Sequence, residues 1–239
     1  MDKMELQFLG RGSSFNPKEG NTSAFLKSVD GETLFLIDCG STVFSRLLEK
    51  GILEGIKHLH IALTHLHGDH AGSLSELISY VYWNMDITPI IHFPIAWDDN
   101  ALAGFLTVQG IENFLYQQER LPARKIETLN LQFKFFPVSH VIPLLDETFA
   151  IWLQIGDEKI YYSGDTNRIS CLPGLQSGEY TRVYHECTTW EDSLVHVPYE
   201  LLVKTIPLEL RHKMYLMHLD ANFDISKAKA DGFNLVELL

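Results

Sequence analysis

Cysteine is scarce in this sequence. Three residues among 239, Cys39, Cys171 and Cys187, form an odd set with no pairwise metal-ligand spacing, which predicts reduced thiols and a cytosolic location rather than a disulfide framework. Positive charge is short as well. With 19 Lys and Arg against 31 Asp and Glu, the formal net charge of −12 leaves no basic surplus to neutralise a long phosphate backbone. Extended nucleic acid is therefore not an expected partner, and a small anionic substrate is favoured. Nowhere do about 18 uncharged apolar residues run together, and the N-terminus lacks a basic flank followed by an apolar run and a cleavage site. Membrane spanning and secretion are both unexpected. Low-complexity segments, long charge runs and fixed-period repeats are also missing, so no linker suggests itself, and one domain spanning 1–239 is expected.

What is present is a succession of short apolar and β-branched runs. Those at 4–9, 24–29, 33–37, 59–64, 89–92, 131–137, 148–155, 159–163, 181–185 and 213–218 read as strands. Helical spacing covers 41–50, 70–82, 96–119 and 199–210, the third carrying Trp97, Phe105, Phe114 and Tyr116 as a cover over the site or as ordinary core. Strands in two sets with helices between them predict sheets packed together and covered by helices.

The chemistry concentrates at one strand end. Residues 59–70 read L-H-I-A-L-T-H-L-H-G-D-H, an apolar strand running into His65, His67, Asp69 and His70. Neutral imidazole and carboxylate suit zinc and other first-row cations, and a His-x-His pair at a strand end points two nitrogens to one side. Gly68 is the expected site of a sharp turn, after which Asp69 and His70 face a second ion at the start of the next helix.

This H-x-H-x-D-H pattern resembles the signature of the metallo-β-lactamase superfamily, and the later motifs follow in that family's order over nearly the whole chain. The resemblance implies an αββα sandwich, two mixed sheets face to face with helices outside. It implies His65, His67 and His140, the last in F-K-F-F-P-V-S-H, on one ion. Asp69, His70 and His218, the last in M-Y-L-M-H-L, fall on the other, with Asp165 of Y-Y-S-G-D-T between them. Two divalent cations, zinc for the histidines or manganese for the Asp-rich second position, would hold a hydroxide for in-line attack on phosphorus, at a separation of about 3.5–4 Å.

Y-H-E-C-T-T at 184–189 and His196 in V-H-V-P-Y-E look like the segments of the ribonuclease Z branch whose His and Glu protonate the leaving oxygen. That likeness assigns His196 and Glu186 to this work and makes Asp69 both ligand and candidate general base. Two departures stand out, Cys187 at the third position of the first segment and Val-Pro in place of Ser-Thr in the second. L-Q-F-L-G-R-G-S-S-F-N at 6–16, N-T-S at 21–23 and L-I-D-C-G at 36–40 look like the same branch and speak to fold more than mechanism. That branch carries a long Gly/Pro-rich tRNA-gripping arm between the third-ligand histidine and the bridging aspartate. Here His140 and Asp165 are 25 residues apart, filled by two predicted strands and a turn at Gly156 and Asp157.

The layout is thus similar to arm-less cyclic nucleotide phosphodiesterases, including the phage anti-Pycsar type, and implies hydrolysis of small phosphodiesters, 3′,5′-cyclic mononucleotides foremost. Competing readings are a tRNA 3′-end endonuclease, a glyoxalase-type thioesterase and a metal-binding scaffold without turnover. The first needs a basic groove built from only 19 Lys and Arg. Relatives in this branch are commonly homodimers, which makes a homodimer the expected assembly, with the aromatic segment 93–116 as its interface.

Overall fold

The run T-L-F-L-I at 33–37 is buried along its whole length, which a strand achieves only when both of its faces are covered. The computed structural model describes residues 5–94, 96, 98, 100–120, 122–141 and 148–239. In it this run is β3 (Thr33–Ile37), inside a sheet of order β1-β2-β3-β4-β5-β6. The other strands are β1 (Gln7–Gly10), β2 (Ser23–Lys27), β4 (His58–Ala62), β5 (Ile90–His92) and β6 (Gln117–Glu119). Antiparallel pairing from β1 to β3 gives way to parallel pairing from β3 to β6. The second sheet runs β13-β12-β11-β10-β9-β8-β7. It comprises β7 (Ala123–Ile126), β8 (Leu131–Val138), β9 (Thr148–Ile155), β10 (Glu158–Tyr162), β11 (Arg182–Glu186), β12 (Met214–Met217) and β13 (Asn234–Leu235). It too changes from antiparallel to parallel, at β10.

Side-chain alternation explains the layering. Along β3, Phe35 and Ile37 join Phe133, Ile151, Leu153 and Tyr162 of the other sheet, while Leu34 and Leu36 join Val43, Leu47 and Leu77 of the helices. Those helices are α1 (Val43–Glu49), α2 (Gly68–Ala71), α3 (Leu74–Met85) and α4 (Ala101–Thr107). The far face of the second sheet is closed by α5 (Leu172–Ser177), α6 (Tyr199–Thr205) and α7 (Ile225–Ala230), through Leu175, Leu202 and Ala228. The layers are helix, sheet, sheet, helix, as the sequence resemblance implies. None of the described helices is long and apolar enough to cross a membrane. The three cysteines are buried and free.

Some elements depart from the sequence reading. The helix expected over 96–119 is confined to α4, because Gly110 turns the chain at positive φ and residues 117–119 gain backbone hydrogen bonds as a parallel partner of β5. Trp97 lies outside the described residues. The helix expected over 199–210 stops at Thr205, since Ile206 precedes Pro207 and takes extended geometry, and a 3-10 turn follows at Leu208–Lys213. The predicted 70–82 helix is split into α2 and α3. The short elements β7, α5, α7 and β13 had no clear apolar period to announce them.

Candidate metal centre

Every residue that the sequence singles out stands at the C-terminal end of a strand or just after it, where loops from neighbouring strands converge. β4 leads to His65, His67, Asp69 and His70; β8 to His140; β10 to Asp165; and β12 to His218. Glu186 is the last residue of β11, and His196 sits in the loop that follows. This loop is pinned at its base, because Thr188 N–H donates to Val197 O at 2.9 Å and Tyr199 N–H to Thr188 O at 2.8 Å.

The side chains converge in two groups that share one carboxylate. His65, His67, His140 and Asp165 form the first; Asp69, His70, Asp165 and His218 form the second; in each, all offered ligand atoms lie within 4.8 Å of one another. Asp165 Oδ2 is 3.9 Å from His65 Nε2, 3.7 Å from His140 Nε2 and 3.4 Å from His218 Nε2, while its Oδ1 is 3.2 Å from His70 Nε2. Four donors at zinc bond lengths in a tetrahedron would stand about 3.3 Å apart. The observed spacings bracket that value.

Protonation fits the same purpose. Burial depresses His65, His67 and His140 below the usual histidine range, so they are neutral donors near pH 7. Although burial opposes it, His218 and His70 hold the Asp165 carboxyl well below its ordinary value, and Asp69 is held down likewise, led by His70. The Nε2 of His70 is buried and makes no hydrogen bond. A buried nitrogen facing two carboxylates without a bond has a clear use as a metal ligand. Other ring nitrogens are anchored: His140 Nδ1 donates to Val195 O at 2.7 Å, which leaves Nε2 for the centre.

Two of the four described non-glycine residues at positive φ, Asp38 at 61° and His218 at 57°, belong to this site, whereas Asp86 and Asn130 sit in ordinary turns. Left-handed backbone at such residues carries strain that the surrounding structure must hold. Asp38 is a functional residue that sequence reasoning missed. Its Oδ1 accepts from Thr64 N–H at 2.8 Å and its Oδ2 from Thr64 Oγ1 at 2.8 Å, and Oδ2 lies 2.9 Å from His70 Nδ1. Its signal was L-I-D-C-G, which the sequence reading treats as a mark of fold. The tight turn also sits elsewhere than expected. Gly68 has no positive φ and a Cβ there would meet only Ser41 Oγ at 4.0 Å, but a Cβ on Gly40 would lie 1.9 Å from Asp69 O. The glycine that lets the motif close is Gly40.

Beside the two groups, His196 Nδ1 lies 3.2 Å from Glu186 Oε2, and its ring stacks at 5.0 Å on His218. Glu186 is fully buried and its Oε1 accepts from Val197 N–H at 2.8 Å. Burial works against a charged His196, yet Glu186 and the carboxylates of Asp165 and Asp69 raise it to about 9. An imidazolium whose Nδ1 faces the buried Glu186 carboxylate keeps Nε2 for proton donation. His67, Asp69, His140, Asp165, His218 and His196 open into one cavity of about 380 Å³.

Comparison with known proteins agrees with this picture. The family model described as Anti-Pycsar protein Apyc1 matches residues 4–238. A relative of that name from Bacillus phage BSP38 is 28% identical over 92% of this chain and 90% of its own. One from Saccharibacillus brassicae is 30% identical over 90% and 89%. Among solved structures, the metallo-β-lactamase fold protein YhfI from Bacillus subtilis superposes with a TM-score of 0.74 at 17% identity, covering 97% of this chain and 92% of that one. The human tRNase Z short form gives 0.67 at 19% identity, over 98% and 96%.

Proposed function

This chain belongs to the anti-Pycsar protein Apyc1 family, and on that premise we propose that it is a metal-dependent phosphodiesterase that hydrolyses small phosphodiesters, foremost 3′,5′-cyclic mononucleotides. The observation that carries the reading is the carboxylate of Asp165 shared between two complete donor groups. His65, His67 and His140 would hold one divalent cation and Asp69, His70 and His218 the other, with Asp165 between. The donors suit zinc, and manganese at the second position is the alternative. When bound, the cations supply an activated water and absorb charge on the phosphoryl oxygens.

The chain's own groups do the rest. Asp69, ionised in the centre, accepts the proton of the attacking water, and the new P–O bond forms as the ring P–O bond opens. His196, charged and held by Glu186, delivers its proton to the departing ribose oxygen. Cyclic phosphodiester and water thereby become a nucleoside monophosphate without a covalent enzyme intermediate. The net charge of −12 and the 25-residue span from His140 to Asp165 favour a compact substrate over tRNA. Three free, buried thiols are in keeping with a cytosolic location.

The assembly we infer is a homodimer, joined through the exposed Trp83 and Phe114, whose rings both lie against Tyr82, so that the face overlaps the segment expected from the sequence. Sedimentation of wild type and of Trp83→Glu tests it; a wild-type monomer removes it. The activity is tested by a panel of cyclic mononucleotides, bis-p-nitrophenyl phosphate, precursor tRNA and a glutathione thioester under one metal. Cyclic nucleotides should be hydrolysed fastest, and faster cleavage of precursor tRNA or the thioester would replace this reading. Asp165→Ala should remain folded by circular dichroism while losing most bound metal by elemental analysis.

A further inference from the structure

The cavity over the donor groups is larger than a phosphate requires, and its rim is aromatic. Phe15 is 87% exposed and Trp190 is 70% exposed, and both line the same cavity as His67, Asp69 and His196. A single exposed aromatic needs no explanation. Two on different loops, facing the space beside one metal centre, are a different matter, because neither gains core burial by being there.

Both loops are held by one side chain. Asp220 Oδ2 accepts from Thr188 Oγ1 at 2.7 Å, from Thr189 N–H at 2.7 Å and from Thr189 Oγ1 at 3.0 Å, while its Oδ1 accepts from Ser13 Oγ at 3.3 Å. Asp220 lies two residues after His218. The Phe15 loop is further tied to that strand end, with Ser13 N–H donating to Leu219 O at 3.0 Å and Asn16 Nδ2 to the same oxygen at 2.9 Å. Phe15 and Trp190 are thus carried by backbone fixed relative to the donor groups, so little ordering remains to be done on binding. The hydroxyls of Ser13 and Thr188, which also line the cavity, are spent on Asp220 and do not point a free donor at a ligand edge.

We propose that Phe15 and Trp190 are the walls that hold the nucleobase, contacting it through their π faces, and that Asp220 is the positioning residue that keeps both walls over the metal centre. This rests on the phosphodiesterase reading. A phosphate seated on the donor groups leaves the sugar and base to extend toward the rim, where a flat ring meets flat rings. Stacking of a base on an aromatic side chain is worth about 1–3 kcal/mol by alanine substitution, that is, about 5- to 150-fold in affinity.

The test pairs 3′,5′-cyclic AMP with a base-free analogue, methyl riboside 3′,5′-cyclic phosphate, on the metal-loaded protein. Trp190→Ala and Phe15→Ala should raise KM for cyclic AMP at least about fivefold more than for the analogue, with kcat on cyclic AMP changing far less than KM. Trp190→Phe should recover most of the loss, and Asp220→Ala should show the same KM-weighted pattern. Equal losses on the two substrates would make these residues structural and overturn the walls, as would an unchanged KM for cyclic AMP in both alanine variants. If wild type hydrolyses neither substrate, the phosphodiesterase reading falls. Isothermal titration with the phosphorothioate of cyclic AMP then decides the walls alone: weaker binding by Trp190→Ala supports them, and equal or absent binding by wild type and variant overturns them.

Discussion

Asp38 Oδ2 sits 2.9 Å from Nδ1 of His70, and both groups are fully out of solvent. The contact fixes the rotation of the imidazole and turns Nε2 toward Asp69 and Asp165. A carboxylate behind a ligating histidine commonly carries 10- to 100-fold of metal affinity. Asp38→Ala is therefore expected to weaken the second cation by about that factor, and the first less, because Thr64 Oγ1, which donates to Asp38, also lies 3.1 Å from His65 Nδ1. Competition with a chromophoric chelator measures both sites, and undiminished affinity at both would remove Asp38 from this role.

Gly40 and Gly68 separate a needed glycine from an incidental one. A methyl group on Gly40 collides with the backbone of Asp69, whereas one on Gly68 finds open space at the first turn of α2. Gly40→Ala should lower the melting temperature and release metal, and Gly68→Ala should retain both metal equivalents with little thermal change. Elemental analysis and a thermal scan decide it; the reverse order would mean that the turn is built differently.

His196 Nδ1 faces Glu186 Oε2 at 3.2 Å, and in the mechanism proposed above His196 is the proton donor. Removing the proton donor matters most when the leaving group is a poor one. His196→Ala should slow hydrolysis of a cyclic nucleotide, whose alkoxide needs protonation, at least about 10²-fold, and that of bis-p-nitrophenyl phosphate far less. Glu186→Gln should reproduce part of the effect with metal content unchanged. Equal losses on the two diesters would take His196 out of the donor role.

A buried pair away from the centre contributes to acid sensitivity. His60 Nδ1 and His92 Nε2 are 3.0 Å apart between the sheets, so only one of these two nitrogens can carry a hydrogen. Burial first, and neighbouring positive charge second, lowers His60 to about 4 and His92 to about 3. In the unfolded chain both titrate near 6.5. Between 6.5 and about 4 the unfolded state therefore binds more protons than the folded one. This part of the stability is complete above pH 6.5 and is lost as pH falls, on the order of 2 kcal/mol per histidine by pH 5. Urea midpoints from pH 7.5 to 5 should fall more steeply for wild type than for the double variant His60→Leu/His92→Phe. Parallel curves would show that the pair contributes nothing.

How much could be read in advance follows from where each signal is written. The H-x-H-x-D-H run packs four donors into six consecutive positions after an apolar strand, so strand, turn and chemistry are all local and survive in the linear text. His140, Asp165 and His218 are single residues, legible only through their order and their places after strands. Asp38 shows only as part of L-I-D-C-G, which names no role, and Asp220 not at all, because what they do is accept hydrogen bonds from residues 26 to 32 positions away for Asp38, and up to 207 away for Asp220. The sequence by itself determined the longer strands, the donor types and their spacing, since these depend on side-chain period and ligand chemistry. The resemblance already implied that Asp165 stands between two donor groups; only the tertiary structure decided that Gly40 rather than Gly68 is the tight point and that Phe15 and Trp190 face one cavity. Each of those depends on how loops from separate strands come together, and that approach is set by the packing of two sheets rather than by any run of neighbours.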